Sequence, residues 1–222
     1  LINYKFTKFW EVEKEIPING NSKCILCLQK NIILFSFGNL ISNLIKVYDC
    51  ENNKNLLDIN AHTKEINDLL KINEYIFISS SKDNTIKFIK LTDNYANFSI
   101  IKNIEIHRDD VNQTIKLSTD NLYLSCSNDR TIKLFEFDYN DANNMVVEKK
   151  SISYFFGFLC IYELPNKNII SISNDGYLKF WEYKNYDFNR IGNLKGFENC
   201  LHNCIFSLNE NITLVGTRKK IK

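Results

Sequence analysis

His107, Ser125 and Asp129 are the residue types of a nucleophilic hydrolase, and the stretch SCSNDRTIKLFEF, Ser125 to Phe137, sets a serine four residues before an aspartate. In such an apparatus a histidine takes the serine proton and a carboxylate orients the imidazole. Two further groupings carry metal-ligand types: Cys24 and Cys27 in CILC, and Cys200, His202 and Cys204 in CLHNC. On an extended strand, residues three apart point to opposite faces. Cys24 and Cys27 would therefore need a knuckle turn to share an ion, and no glycine stands there to make one. Alternate residues on a strand lie about 6.6 Å apart, whereas zinc ligands sit about 2.0 to 2.3 Å from one ion. Both groups read as small buried apolar side chains, and no metal or cofactor site is predicted. No Gly-rich phosphate loop, H-E-x-x-H or G-x-S-x-G occurs, so no catalytic motif stands beside the serine.

The serine–aspartate pair recurs, which changes its meaning. SSSKDNTIKFIKL runs from Ser79 to Leu91 and SISNDGYLKFWEY from Ser171 to Tyr183; weaker copies are NLIKVYD at Asn43, YKFTKFWEV at Tyr4 and GTRKKIK at Gly216. With the shared lysine as register mark, Lys8, Lys46, Lys87, Lys133, Lys179 and Lys222 are separated by 38, 41, 46, 46 and 43 residues. A period near this length marks a repeat array. A catalytic triad has no reason to recur at that step, and a structural lock does. The units run roughly over 1–20, 21–60, 61–105, 106–151, 152–195 and 196–222. The first and last fall short of a full unit, so the chain is expected to be an arc of a larger ring, truncated at both ends.

Each unit reads as four short strands. Between Glu65 and Ile104 these are EINDLLK, YIFISSS, TIKFIKL and NFSIIKNI, with turns at Asn73-Glu74 and Lys82-Asp83-Asn84. The next unit repeats the scheme with DVNQTIKL, LYLSCS, TIKLFEF and MVVEKK. Alternating or continuous apolar runs of this length between polar turns are strand signals. With only 7 Gly and 2 Pro in the chain, Asn and Asp take the turns, where their side chains tolerate left-handed backbone and bond locally. The predicted fold class is all-β: a partial β-propeller of about five to six four-stranded blades, incomplete at the first and last.

These residues resemble the WD-repeat family, whose units of this length carry a Gly-His dipeptide, a Ser-x-x-x-Asp segment and a Trp-Asp end to the third strand. The resemblance implies a hydrogen-bonded tetrad of histidine, serine, aspartate and tryptophan locking each blade. One unit offers His62, Ser79 and Asp83, with Ile89 in the tryptophan place; the next offers His107, Ser125 and Asp129, with Phe135 there. A third offers Ser171, Asp175 and Trp181, but no histidine near Ser153. Where the indole N–H is missing, the serine must find another partner or face water.

The formal net charge of +2 provides no strong field for nucleic acid or acidic membranes, and no apolar run approaches the roughly 18 residues that span a bilayer. Seven cysteines scattered through predicted strands suggest reduced thiols and a cytoplasmic or nuclear protein. The basic end RKKIK, Arg218 to Lys222, falls in third-strand register and reads as a strand face rather than a nucleic-acid patch. The family resemblance implies a non-enzymatic scaffold that binds peptide segments or protein surfaces on its narrow face, as a subunit of a larger complex. Here that face would carry Lys64, Glu65, Lys82, Arg108, Asp109, Asp110, Asn128 and Asn174. Phe155 and Phe156 are expected there too, buried against the next blade. The alternative is a substrate-receptor subunit of a ubiquitin ligase complex. Its nearest motif, WEYK at Trp181 to Lys184, has lysine where the resemblance calls for arginine, and lysine lacks the bidentate fork.

Overall fold

Turn chemistry and alternation divide the chain into hairpins. Asn84 takes φ of 72°, a left-handed value that asparagine tolerates, and Gly176 takes 75° in the equivalent turn of a later unit, while Asn121 takes 60° in the turn before a second strand. The computed structural model describes residues 21–38, 43–119, 121–141, 145–196, 204–209 and 212–216. Among them are four four-stranded antiparallel sheets, each in simple chain order. The first holds β1 (Ile25–Gln29), β2 (Ile32–Gly38), β3 (Asn43–Asp49) and β4 (Lys54–Ile59). The second holds β5 (Ile66–Lys71), β6 (Ile76–Ser81), β7 (Ile86–Thr92) and β8 (Asn97–Ile104). β9 (Val111–Lys116), β10 (Leu122–Ser127), β11 (Thr131–Phe137) and β12 (Val146–Ser153) form the third. β13 (Phe158–Glu163), β14 (Ile169–Ser173), β15 (Tyr177–Lys184) and β16 (Asp187–Lys195) form the fourth. A two-stranded ladder follows, β17 (Cys204–Asn209) with β18 (Ile212–Gly216). The array is a propeller arc, not closed into a ring. The YKFTKFWEV and GTRKKIK copies lie wholly or almost wholly outside the described residues.

Register is the same from sheet to sheet. Ser79 faces Lys87, Ser125 faces Lys133 and Ser171 faces Lys179, while Phe35 takes the serine place opposite Lys46. A bulge between the third and fourth strands recurs immediately before Tyr48, Ile89, Phe135 and Trp181, one position in four sheets. Such bulges increase the local twist, so each blade bends at the same point. The second strands β6 and β10 are buried along their whole length, whereas the outer strands β12 and β16 are mostly exposed and β8 is half exposed. No helix among the described residues is long and apolar enough to cross a membrane.

Three of the core clusters lie between neighbouring sheets, and a fourth, Cys160, Ile170, Ile172 and Leu178, lies on the fourth sheet. Leu28, Leu34 and Val47 pack with Leu69, Phe77 and Ile89; Ile78 and Phe88 with Tyr123, Phe135 and Phe137; Leu124 and Leu134 with Phe158, Ile161 and Trp181. Polar staples on the first strands add direction. Asn67 Nδ2 donates to the Val111 carbonyl at 2.9 Å, and Asp68 accepts from the Thr114 N–H at 3.3 Å. One sheet later, Asn112 Nδ2 donates to the Phe158 carbonyl and Gln113 accepts from the Ile161 N–H, both at 2.8 Å.

Candidate functional site

The serine, histidine and aspartate side chains meet inside the blades. His107 Nδ1 stands 2.9 Å from Asp129 Oδ2 and Nε2 stands 2.7 Å from Ser125 Oγ; the His62 distances to Asp83 and Ser79 are the same. Because the carboxylate can only accept, the network places a ring proton on Nδ1, while Nε2 shares a hydrogen bond with the serine hydroxyl. Ser125 and Ser79 are each 0% exposed. A hydroxyl with no opening to solvent cannot meet a substrate, so the arrangement is a lock and not a nucleophile.

The lock has a member that sequence reasoning missed. Thr131 Oγ1 donates to Asp129 Oδ1 at 2.6 Å and lies 3.2 Å from His107 Nδ1; Thr85 repeats this with Asp83 and His62. The signal was the shared Asp-x-Thr of KDNT and NDRT. Burial alone would raise both aspartates, but the bonds from histidine, threonine and the Thr63 or Arg108 N–H overcome it. Asp83 and Asp129 are therefore held well below the ordinary carboxylate range.

The later unit solves the same problem differently. Trp181 Nε1 donates to Ser171 Oγ at 2.8 Å, the bond that Ile89 and Phe135 cannot make. Tyr154, four residues before Phe158, stands where His62 precedes Ile66 and His107 precedes Val111. Lys179 turns inward to replace the imidazole's charge-facing role. It is 1% exposed, bonds Ser173 and both oxygens of Asp175 at 3.0 Å, and lies 4.3 Å from the Tyr154 ring centroid. Burial lowers its pKa despite the pull of Asp175, and Asp175 itself is held low by Ser173 and Lys179 against burial. By contrast, the register mates Lys46 and Lys133 reach outward to Asp58 and Glu148, each at 2.9 Å.

In the second, third and fourth sheets one backbone bond ties down the turn after the second strand. The N–H groups of Lys82, Asn128 and Asn174 donate to the carbonyls of Glu65, Asp110 and Gly157 at 2.9, 3.0 and 2.9 Å. Lys64, Arg108 and Asp109 project from the adjoining loops and are exposed. Glu65 is paired with Lys23 and, at 3.1 Å, with Lys82, and these bonds lower its pKa. Asp110 is raised by burial and by the neighbouring Asp109, against the pull of Lys82 and Lys64.

Phe155 and Phe156 depart from expectation: they are 82% and 48% exposed instead of buried against the next blade. The reason is Gly157, where a Cβ would come within 2.9 Å of Asn128 Cα and 3.1 Å of its carbonyl oxygen. The loop presses its backbone, not its rings, against the neighbouring turn. Tyr154 occupies the apolar slot the rings would have needed, 6.1 Å from Phe158.

The Cys24 thiol is pushed up to about 11 by burial, and the Cys27 side chain contacts the Gln29 carbonyl at 3.2 Å. Among the described residues no group of three His, Cys, Asp or Glu is placed to hold a metal ion. The side chains of Cys200, His202 and Cys204 lie outside the described residues.

Residues 98–136 match the model of the WD domain, G-beta repeat. The fold is similar to the WD40 beta propeller domain of Doa1, at 22% identity and a TM-score of 0.65, covering 87% of this chain and 60% of that one. It is similar also to a chain of the Mitotic Checkpoint Complex, at 14% identity and a TM-score of 0.69, covering 87% of this chain and 58% of that one. The chain thus spans about three fifths of the length of these solved structures. No curated protein sequence matches it. The fold is that of a WD40 β-propeller, and propellers of this kind are generally protein-interaction scaffolds.

Proposed function

We propose that the chain is a non-enzymatic scaffold that binds peptide segments or protein surfaces through its narrow face. The observation that carries this reading is the division of labour among polar side chains. His62, Ser79, His107 and Ser125 are buried in blade locks, while Lys64, Arg108, Asp109 and Asn174 stand exposed on loops those locks hold still. A rigid framework carrying variable loops is where binding residues concentrate.

The test is capture of a partner from lysate by variants of equal melting temperature. Lys64→Glu and Arg108→Glu should weaken capture with little change in folding, because exposed charges contribute little to stability. Lys150→Glu should leave capture unchanged, since Lys150 lies on the outer strand β12 and reaches Asp187 of the next sheet at 2.8 Å. Loss of capture only with outer-strand changes would move the interaction to the rim.

A further inference from the structure

Arginine is scarce in this chain: four residues, Arg108, Arg130, Arg190 and Arg218, against 24 lysines. Of the three described arginines, Arg190 reaches one loop with its guanidinium, Arg130 meets it through its backbone, and Arg108 adjoins it through Asp129. The Arg108 N–H bonds Asp129 at 3.0 Å, the Arg130 carbonyl accepts from the Tyr154 N–H at 2.9 Å, and Arg190 Nη1 lies 3.4 Å from the Tyr154 hydroxyl. Among the described residues at least seven lysines sit in ion pairs and none of these arginines does. Beside them stands Phe155, exposed yet ordered, edge-on to Tyr154 at 5.8 Å between the fixed ends of its loop.

The two halves of the narrow face differ in charge balance. On the side of the second sheet, Lys23 and Lys82 are satisfied by Glu65, and Asp110 feels Lys82, Lys64 and Lys23. That half neutralises itself. Toward the fourth sheet none of the three described arginines forms an ion pair; the carboxylates beside Arg108 in sequence are Asp109, which is exposed, and Asp110. An unneutralised guanidinium is suited to carboxylates, which it grips through two parallel N–H donors. An exposed ring among such charges provides the apolar anchor of a contact.

We infer that the Tyr154–Gly157 loop, with Arg108, Arg130 and Arg190, docks an acidic peptide segment that sets an apolar side chain against Phe155. This rests on the narrow-face reading, names its partner chemistry and extends the contact to Arg190 at the adjoining outer strand β16. A single-stranded nucleic acid is the weaker occupant, because it calls for aromatic rings repeated along a basic groove, and here one exposed loop supplies the rings.

The experiment is fluorescence anisotropy on the full chain with a labelled peptide of aspartates and glutamates interrupted by leucines. Its asparagine and glutamine analogue and an oligothymidylate serve as comparators. The acidic peptide should bind, and added salt should weaken it. The neutral analogue, Phe155→Ala and Arg108→Glu should each weaken binding about tenfold, with melting temperature unchanged. Lys54→Glu, on the outer strand β4, should bind as the unmodified chain does. Failure of the acidic peptide to bind, or equal binding by Phe155→Ala, overturns the inference while leaving the capture test to judge the narrow face. Tighter binding of oligothymidylate would assign the surface to nucleic acid instead.

Discussion

Asp129 accepts hydrogen bonds from His107 Nδ1, the Arg108 N–H, and both the N–H and the hydroxyl of Thr131. One carboxylate thus ties together the loop before β9, the turn after β10 and the start of β11. Removing it strands the buried His107 N–H and the Thr131 hydroxyl. Asp129→Ala should destabilise the chain by about 1 to 3 kcal/mol, measured by denaturant melts. An unchanged midpoint would mean that the lock contributes nothing. The Tyr154–Lys179–Asp175 arrangement shows that the position requires a donor for the aspartate and a flat ring beside it, and that these can come from two residues. A buried ammonium carries a larger desolvation cost than a neutral imidazole, which the two Asp175 oxygens and the Tyr154 face offset.

At the scale of the strand, the inner edge of each blade addresses its neighbour. The pairs Asn67-Asp68 and Asn112-Gln113 occupy one register position in β5 and β9 and bond equivalent atoms of the following sheet. In β13 the register mates are Leu159 and Cys160, which carry neither a carboxamide nor a carboxylate. Gln113→Ala should leave the buried Ile161 N–H without its acceptor, at a loss of about 1 to 2 kcal/mol. Amide hydrogen exchange at Ile161 should accelerate, while exchange within β2, in the first sheet, stays as it was. Equal protection of Ile161 in the variant would show that apolar packing alone holds the two sheets.

For the whole molecule the locks set the response to acid. Asp83 and Asp129 have folded pKa values below their unfolded ones, so their contribution is complete above the unfolded carboxylate value of about 4 and is lost as pH falls below it. Asp68 behaves in the opposite sense: burial between neighbouring sheets raises it to about 6, against the N–H bonds of Thr114 and Leu69. Its contribution is greatest below about pH 4 and declines as pH rises toward 6. Melting temperature should therefore fall steeply on acidification below about pH 4, and Asp68→Asn should remove the gentler decline between pH 4 and 6. A variant that melts with the parent's profile across that interval would refute the role given to Asp68.

The repeat period, the hairpin turns and the lock residues of two units were legible in the sequence because each is a local signal. A serine four residues before an aspartate, an Asn or Asp turn and a two-residue alternation all act within one hairpin. The shared lysine marked register correctly, but register does not say where the side chain goes: Lys133 and Lys179 occupy one position, yet one reaches Glu148 and the other turns inward to Asp175. Nothing in the strand itself distinguishes them; the ring of Tyr154, brought in from the preceding loop, does. Exposure of Phe155 was likewise decided in three dimensions, by the close approach of Gly157 to Asn128 across two sheets. Contacts between blades join residues about 45 positions apart, such as Asn112 with Phe158 and Gln113 with Ile161. Their partners are set by how one sheet stacks on the next, and only the tertiary structure determines that.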